Sequence, residues 1–188
     1  MSVPEEPKNS AFATLAEEFN TSAGKFAIGE GGVTLDALMT KYTILQKFKT
    51  ETPTDKMKLA ESLLNCGLDI MRKCAKPGNK DNLGEPSNNV QAIFARLTSA
   101  EELPLLPERA MDAMADAALD LIRKSEGMPS YDYNWRDSQN HKTALIKMAQ
   151  TAIGFAEIIQ KRPEKTAGFA AAKAIAPAKR PMLQLSEG

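Results

Sequence analysis

Valine is almost missing from this chain. Val3, Val33 and Val90 are the only three in 188 residues, while alanine, leucine and methionine are plentiful. β-Branched side chains favour strands and the plentiful types favour helices, so a sheet-built core is excluded and an all-α chain nearly free of β-structure is expected. Histidine is scarcer still. With His141 alone, and with Cys66 and Cys74 as the only cysteines, the ligands of a zinc site are too few and too widely spaced. The two cysteines fall on one expected helix, too far apart for the ~7 Å Cα separation that a disulfide requires. Reduced, buried thiols in a cytosolic compartment are the expectation.

Other absences narrow the function. No apolar run approaches the ~18 residues that a membrane-spanning helix needs. Met1 to Asn9 is acidic and contains proline, without the basic and apolar regions of a secretory signal. The run Gly29-Glu30-Gly31-Gly32 lacks the lysine of a phosphate-binding loop and follows no expected strand, so it reads as a hinge. Asp137, Ser138 and His141 are the residue types of a hydrolytic triad, but neighbours on one helix rarely reach triad geometry and no nucleophile elbow accompanies them. No internal repeat is visible. Neither a catalytic signature nor a metal or cofactor site is expected, which favours a non-enzymatic role.

What the chain does have is charge laid down in blocks. Residues 1–40 carry two basic and six acidic side chains, and residues 41–80 carry nine and four. Residues 81–137 carry five and eleven, and residues 138–188 carry eight and three. The net charges of −4, +5, −6 and +5 cancel over the whole chain. Alternating blocks of this kind neutralise each other within one fold, pair between copies, or offer basic surface to a polyanion.

Apolar periodicity predicts a compact bundle of five to seven helices with extended N- and C-terminal arms. The arms are residues 1–9 and 177–188, and one helical domain fills 10–176. Ser10 caps a short first helix through Phe12, Leu15, Ala16 and Phe19, broken by the glycine-rich stretch Thr21 to Val33. Thr34 caps a second, carrying Leu35, Leu38, Met39, Tyr42, Leu45 and Phe48. Thr52-Pro53-Thr54-Asp55 opens a third with a capping box. Its two apolar stripes, one through Met57, Ala60, Leu64, Leu68 and Met71, place it at the centre of the core. Ser87 or Asn88 starts a fourth, Pro107 a fifth that runs to about Ser125, and Asp137 or Ser138 a long sixth. A last helix is expected between Glu164 and Ala176.

Three groups of residues are candidates for function. Glu108, Asp112, Asp116 and Asp120 recur every four residues on the fifth helix, a spacing at which like charges repel. An oppositely charged partner surface would offset that repulsion, and a solvated face is the plainer reading. Lys47, Lys49, Lys56, Lys58, Arg72 and Lys73 are the candidate phosphate contacts, although lysine and arginine at a helix C-terminus also serve its dipole. Tyr131, Tyr133 and Trp135, on the loop Gly127 to Asp137, either cover the core edge or anchor an interface.

Together these features predict a self-associating structural protein, of the coat or nucleocapsid kind, with a basic surface facing nucleic acid (RNA ahead of DNA). A cytoplasmic or virion location follows from that reading. A helical adaptor binding a protein through the Tyr131–Trp135 loop is the first alternative, and an enzyme with an unrecognised carboxylate site is the second.

Overall fold

The computed structural model describes residues 10–48, 52–77, 79, 82–98, 106, 109–128 and 135–161. Six helices make up most of this, and no strand is present among the described residues. They are α1 (Ser10–Ile28), α2 (Leu35–Gln46), α3 (Pro53–Ala75), α4 (Gly84–Thr98), α5 (Arg109–Glu126) and α6 (Trp135–Gln160). The fold is therefore an all-α bundle, as the scarcity of valine implies. Among the described residues no helix is long and apolar enough to cross a membrane. The arms at 1–9 and 177–188, and the helix expected between Glu164 and Ala176, lie outside the described residues.

Four helices close into a ring of neighbours in the order α3, α4, α6, α5. Helix α3 and α5 run parallel, because Arg109 at the start of α5 pairs with Glu61 while Lys124 near its end reaches the carbonyl of Cys74. Helix α4 returns antiparallel beside α3, and α6 returns beside α5. The chain thus passes from α4 to α5 diagonally across the ring rather than to a neighbour. Helix α1 lies on the outside of α3, and α2 folds back along α1. The central place expected for α3 is observed: it packs on α1, α4 and α5, and its stripes Leu59, Leu63, Cys66, Ile70 and Ala60, Leu64, Leu68, Met71 are all buried.

Four boundaries depart from the sequence reading, and in the first α2 ends at Gln46, so that Phe48 lies just beyond the helix with its amide donating to the carbonyl of Leu45 at 3.3 Å. Helix α1 does not stop before Thr21 but continues to Ile28. Gly24 is carried inside it at a cost of about 1 kcal/mol, because Ala23 and Ala27 extend the buried stripe of Phe12 and Phe19. The stop comes at Gly29, whose φ of 77° suits a residue without Cβ. There the amide of Glu30 donates to the carbonyl of Lys25 at 2.8 Å and that of Gly29 to Phe26 at 3.1 Å. Helix α4 begins at Gly84 rather than Ser87, with the Asn82 side chain accepting from the Gly84 amide at 2.9 Å and Pro86 accommodated in the first turn. Helix α6 begins at Trp135, which therefore belongs to a helix and not to the preceding loop.

Two expected caps are present. Thr34 accepts from the amide of Ala37 and Thr52 from that of Asp55, each at 3.2 Å. The Thr52 hydroxyl also donates to the Asp55 carboxylate at 2.6 Å, tightening the first turn of α3. At the other end of α3 the satisfaction comes from a neighbour. The Lys124 ammonium donates to the carbonyls of Cys74, Lys76 and Asn79 at 2.6, 3.0 and 3.3 Å. A cation there meets the negative end of the helix dipole as well as the last unpaired carbonyls. Lys73 does the same for α1, donating to the carbonyl of Ile28 at 2.8 Å.

Candidate functional site

The six basic candidates do not form one patch. Lys47 caps the C-terminus of α2 and is exposed. Lys49 lies outside the described residues. Lys56 and Lys58 are in the first turns of α3, while Arg72 and Lys73 are in its last turn. At 1.5 Å per residue Lys56 and Arg72 are about 24 Å apart along the axis. Lys56 and Lys58 also diverge, by about 160° around the helix. Lys58 is exposed, whereas Lys56 turns toward the core side and is half-buried.

The far pair is engaged in structure. Arg72 pairs with Asp69 one turn back at 3.0 Å, and Lys73 holds the end of α1. Lys41, beside these candidates in sequence, reaches Ser22 at 3.2 Å and Glu18 at 3.8 Å on α1. Among the described residues Lys47 and Lys58 have no ionic partner. Tyr42, which lies among the lysines in sequence, is fully buried against Phe19 and beneath the guanidinium of Arg96, 5.0 Å from its ring centre. It is not a platform for stacked bases.

On α5 the acidic stripe is real and outward. Asp112, Asp116 and Asp120 are all exposed, opposite the buried side formed by Ala110, Met114, Ala117, Ala118 and Leu121. Asp120 has a 3.4 Å contact with Arg123, between two well-hydrated groups. Among the described residues Asp112 and Asp116 have no basic partner. Glu108 lies outside them. Leu119 sits on this same face, one turn from both Asp116 and Arg123, with 47% of its surface exposed.

A second apolar residue is similarly placed on α2. Ile44 is 48% exposed, with Lys41 and Lys47 one turn to either side and the exposed Ala37 two turns back. Sequence reading passed over both Leu119 and Ile44. The signal was available: each falls off the apolar stripe of its own helix, at a phase shared with charge rather than with core residues.

The aromatic candidates Tyr131 and Tyr133 lie outside the described residues, and of Trp135 only the backbone, at the start of α6, is described. His141 is half-buried on α6. Cys66 and Cys74 are buried and form no disulfide. Burial, reinforced by the nearby Asp69 carboxylate, pushes the Cys66 thiol up to about 12, so it carries no nucleophilic thiolate at neutral pH. No group of three His, Cys, Asp or Glu side chains suited to a metal ion occurs among the described residues. Comparison with protein-family models, curated proteins and solved structures finds no match to this chain.

Proposed function

We propose that this chain is a non-enzymatic structural protein that associates with copies of itself, a coat or nucleocapsid-type subunit with a basic surface toward nucleic acid. The observation that carries this reading is the acidic face of α5. Like charges at four-residue spacing cost a few tenths of a kcal/mol per pair, and Asp112 and Asp116 are exposed with no basic partner among the described residues to relieve that repulsion. A basic surface on another copy would relieve it. The lysines of α2 lie away from α5, because α2 packs on α1 while α5 packs on α3 and α6; the start of α3, where Lys58 stands one turn from the Glu61 that pairs with Arg109, adjoins the start of α5 instead. Of the six basic candidates, Lys47 and Lys58 are the exposed ones best placed for phosphate, because among the described residues neither is committed to a helix end of another element or to an ion pair. Contacts of this type bind nucleic acid with steep salt dependence and little sequence preference.

Light scattering across a concentration series, with absorbance at 260 nm to detect bound nucleic acid, tests the proposal. Particles or filaments that dissociate as salt rises are expected. A strict monomer at every concentration and at low salt overturns self-association. For the basic surface, Lys47→Glu with Lys58→Glu is expected to weaken RNA binding equally for unrelated sequences. Unchanged affinity removes these lysines from the site.

A further inference from the structure

We infer that the outer face of α5 in one copy docks on the outer face of α2 in the next, with Leu119 against Ile44 and the acidic rim against Lys47. The inference rests on the self-association reading and names its contact. Both faces have the same plan with opposite charge. On α5, Leu119 is exposed at the centre, Ala115 lies one turn back, Asp112 and Asp116 form an acidic rim on the N-terminal side, and Arg123 on the C-terminal side contacts Asp120. On α2, Ile44 is exposed at the centre, Ala37 lies two turns back on the same face, and the exposed Lys47 forms the rim, while Lys41 on the other side is engaged with Ser22 and Glu18 of α1. Small residues beside each apolar centre let two helices approach closely, and the opposed charges fix register more than they add affinity.

The geometry excludes closure within a single chain. Helix α2 rests on α1 and reaches α4, where Arg96 covers Tyr42. Helix α5 rests on α3 and α6, diagonally across the ring from α4. The two faces therefore point to opposite flanks, and their union joins different surfaces of two copies. A parallel contact between two copies of the α5 face would set Asp112 and Asp116 against the same residues, which like-charge repulsion disfavours, and oxidation of the Leu119→Cys variant alone detects an antiparallel one. One helix crossing another buries less than a standard stable interface, so each contact is weak alone and strengthens through repetition in an assembly.

Cross-linking of exposed cysteines tests the pairing. The native thiols are buried, so they contribute little background under mild oxidation. Full-length Ile44→Cys and Leu119→Cys proteins are mixed and oxidised, and each is also oxidised alone. Disulfide-linked pairs that need both variants are the expected result. Charge reversal supplies the second measurement: Asp112→Lys with Asp116→Lys is expected to weaken association about tenfold, the effect of ~1.4 kcal/mol. Combining it with Lys47→Glu, which leaves the Lys41 contact to α1 intact, is expected to restore part of the association. Homodimers of Leu119→Cys alone show a symmetric α5 contact and overturn the inference. Association without cross-linking in any mixture overturns it too, while leaving self-association intact. Monomers throughout overturn both.

Discussion

Where α3 crosses α4, a glycine lets the two helices come together. Where α2 lies along α1, aromatic rings fill the space between them. A Cβ on Gly67 would stand 2.8 Å from the Phe94 ring and 3.2 Å from Ile93, and Phe94 is itself stacked on Phe155 at 5.1 Å. The hairpin relies on the Phe12–Phe48 and Phe19–Tyr42 pairs, with centroids 5.6 and 5.7 Å apart. It also carries the Gln46 amide, whose buried nitrogen and oxygen have no partner among the described residues. Close packing favours the ring, whose one unpaired buried polar atom among the described residues is the Ser87 hydroxyl, whereas both atoms of the Gln46 amide are unpaired in the hairpin and lower its local stability. The lesson is that one core can contain units that open separately.

The largest test of that difference is Phe94→Ala. Removing a fully buried ring at the α3–α4–α6 junction is expected to cost about 3–5 kcal/mol and to unfold the ring and hairpin together. Leu38→Ala, in the hairpin, should instead speed amide exchange in α1 and α2 while the amides of α3 to α6 keep their protection. Equal loss of protection everywhere would show that the two regions form one cooperative unit.

Lys124→Met follows in size. It keeps most of the side-chain volume but removes a charge-assisted contact to three carbonyls, with an expected cost of about 1.5–3 kcal/mol in urea denaturation. Lys73→Met removes the corresponding contact to the end of α1, which is more exposed, and should cost less. Parity between the two would remove the distinction between ring and hairpin in how helix ends are held.

Alkaline titration gives a third effect, smaller within any one pH unit. The Cys66 thiol loses its proton near 9.0 in the unfolded chain but is held up to about 12 in the fold. The folded state thus retains a proton that the unfolded state releases, so stability contributed by this group is full below pH 9 and falls above it. The expected slope is about 1.4 kcal/mol per pH unit between these limits. Because lysines and tyrosines titrate there as well, the check is the difference in slope between the wild type and Cys66→Ala. The same slope in both would show that Cys66 is not protected by the α3 core.

The smallest expected change is on α5. Asp112→Asn with Asp116→Asn should raise the stability of the isolated subunit by a few tenths of a kcal/mol, as repulsion is relieved. A clear loss of stability would show that these carboxylates serve the fold of the ring rather than its surface.

The helical architecture was legible in the chain because apolar period is a strong signal over ten or more residues. The double stripe of α3, the Thr34 and Thr52 caps and the outward acidic face of α5 all followed from spacing. Helix ends were less legible where tertiary packing overrules local preference. Gly24 looks like a breaker until Ala23 and Ala27 are seen to continue the buried stripe, and Pro86 looks like a stop until it is placed in a first turn. The basic candidates illustrate a different limit. Lysines close in sequence can diverge around a helix, as Lys56 and Lys58 do, or serve a neighbouring helix end, as Lys73 does. Neither outcome is encoded in composition.

The placement of the α2 and α5 faces on opposite flanks has a consequence for growth. If copies join through these faces, every open assembly has two chemically different ends, one showing the Leu119 face and the other the Ile44 face. Such a polymer has direction. A copy with only its α5 face disabled can still present its α2 face to a growing end, but then offers no purchase to the next. A small proportion of that variant would stop elongation at one end alone, as a chain terminator does, and the average length would fall in inverse proportion to its share.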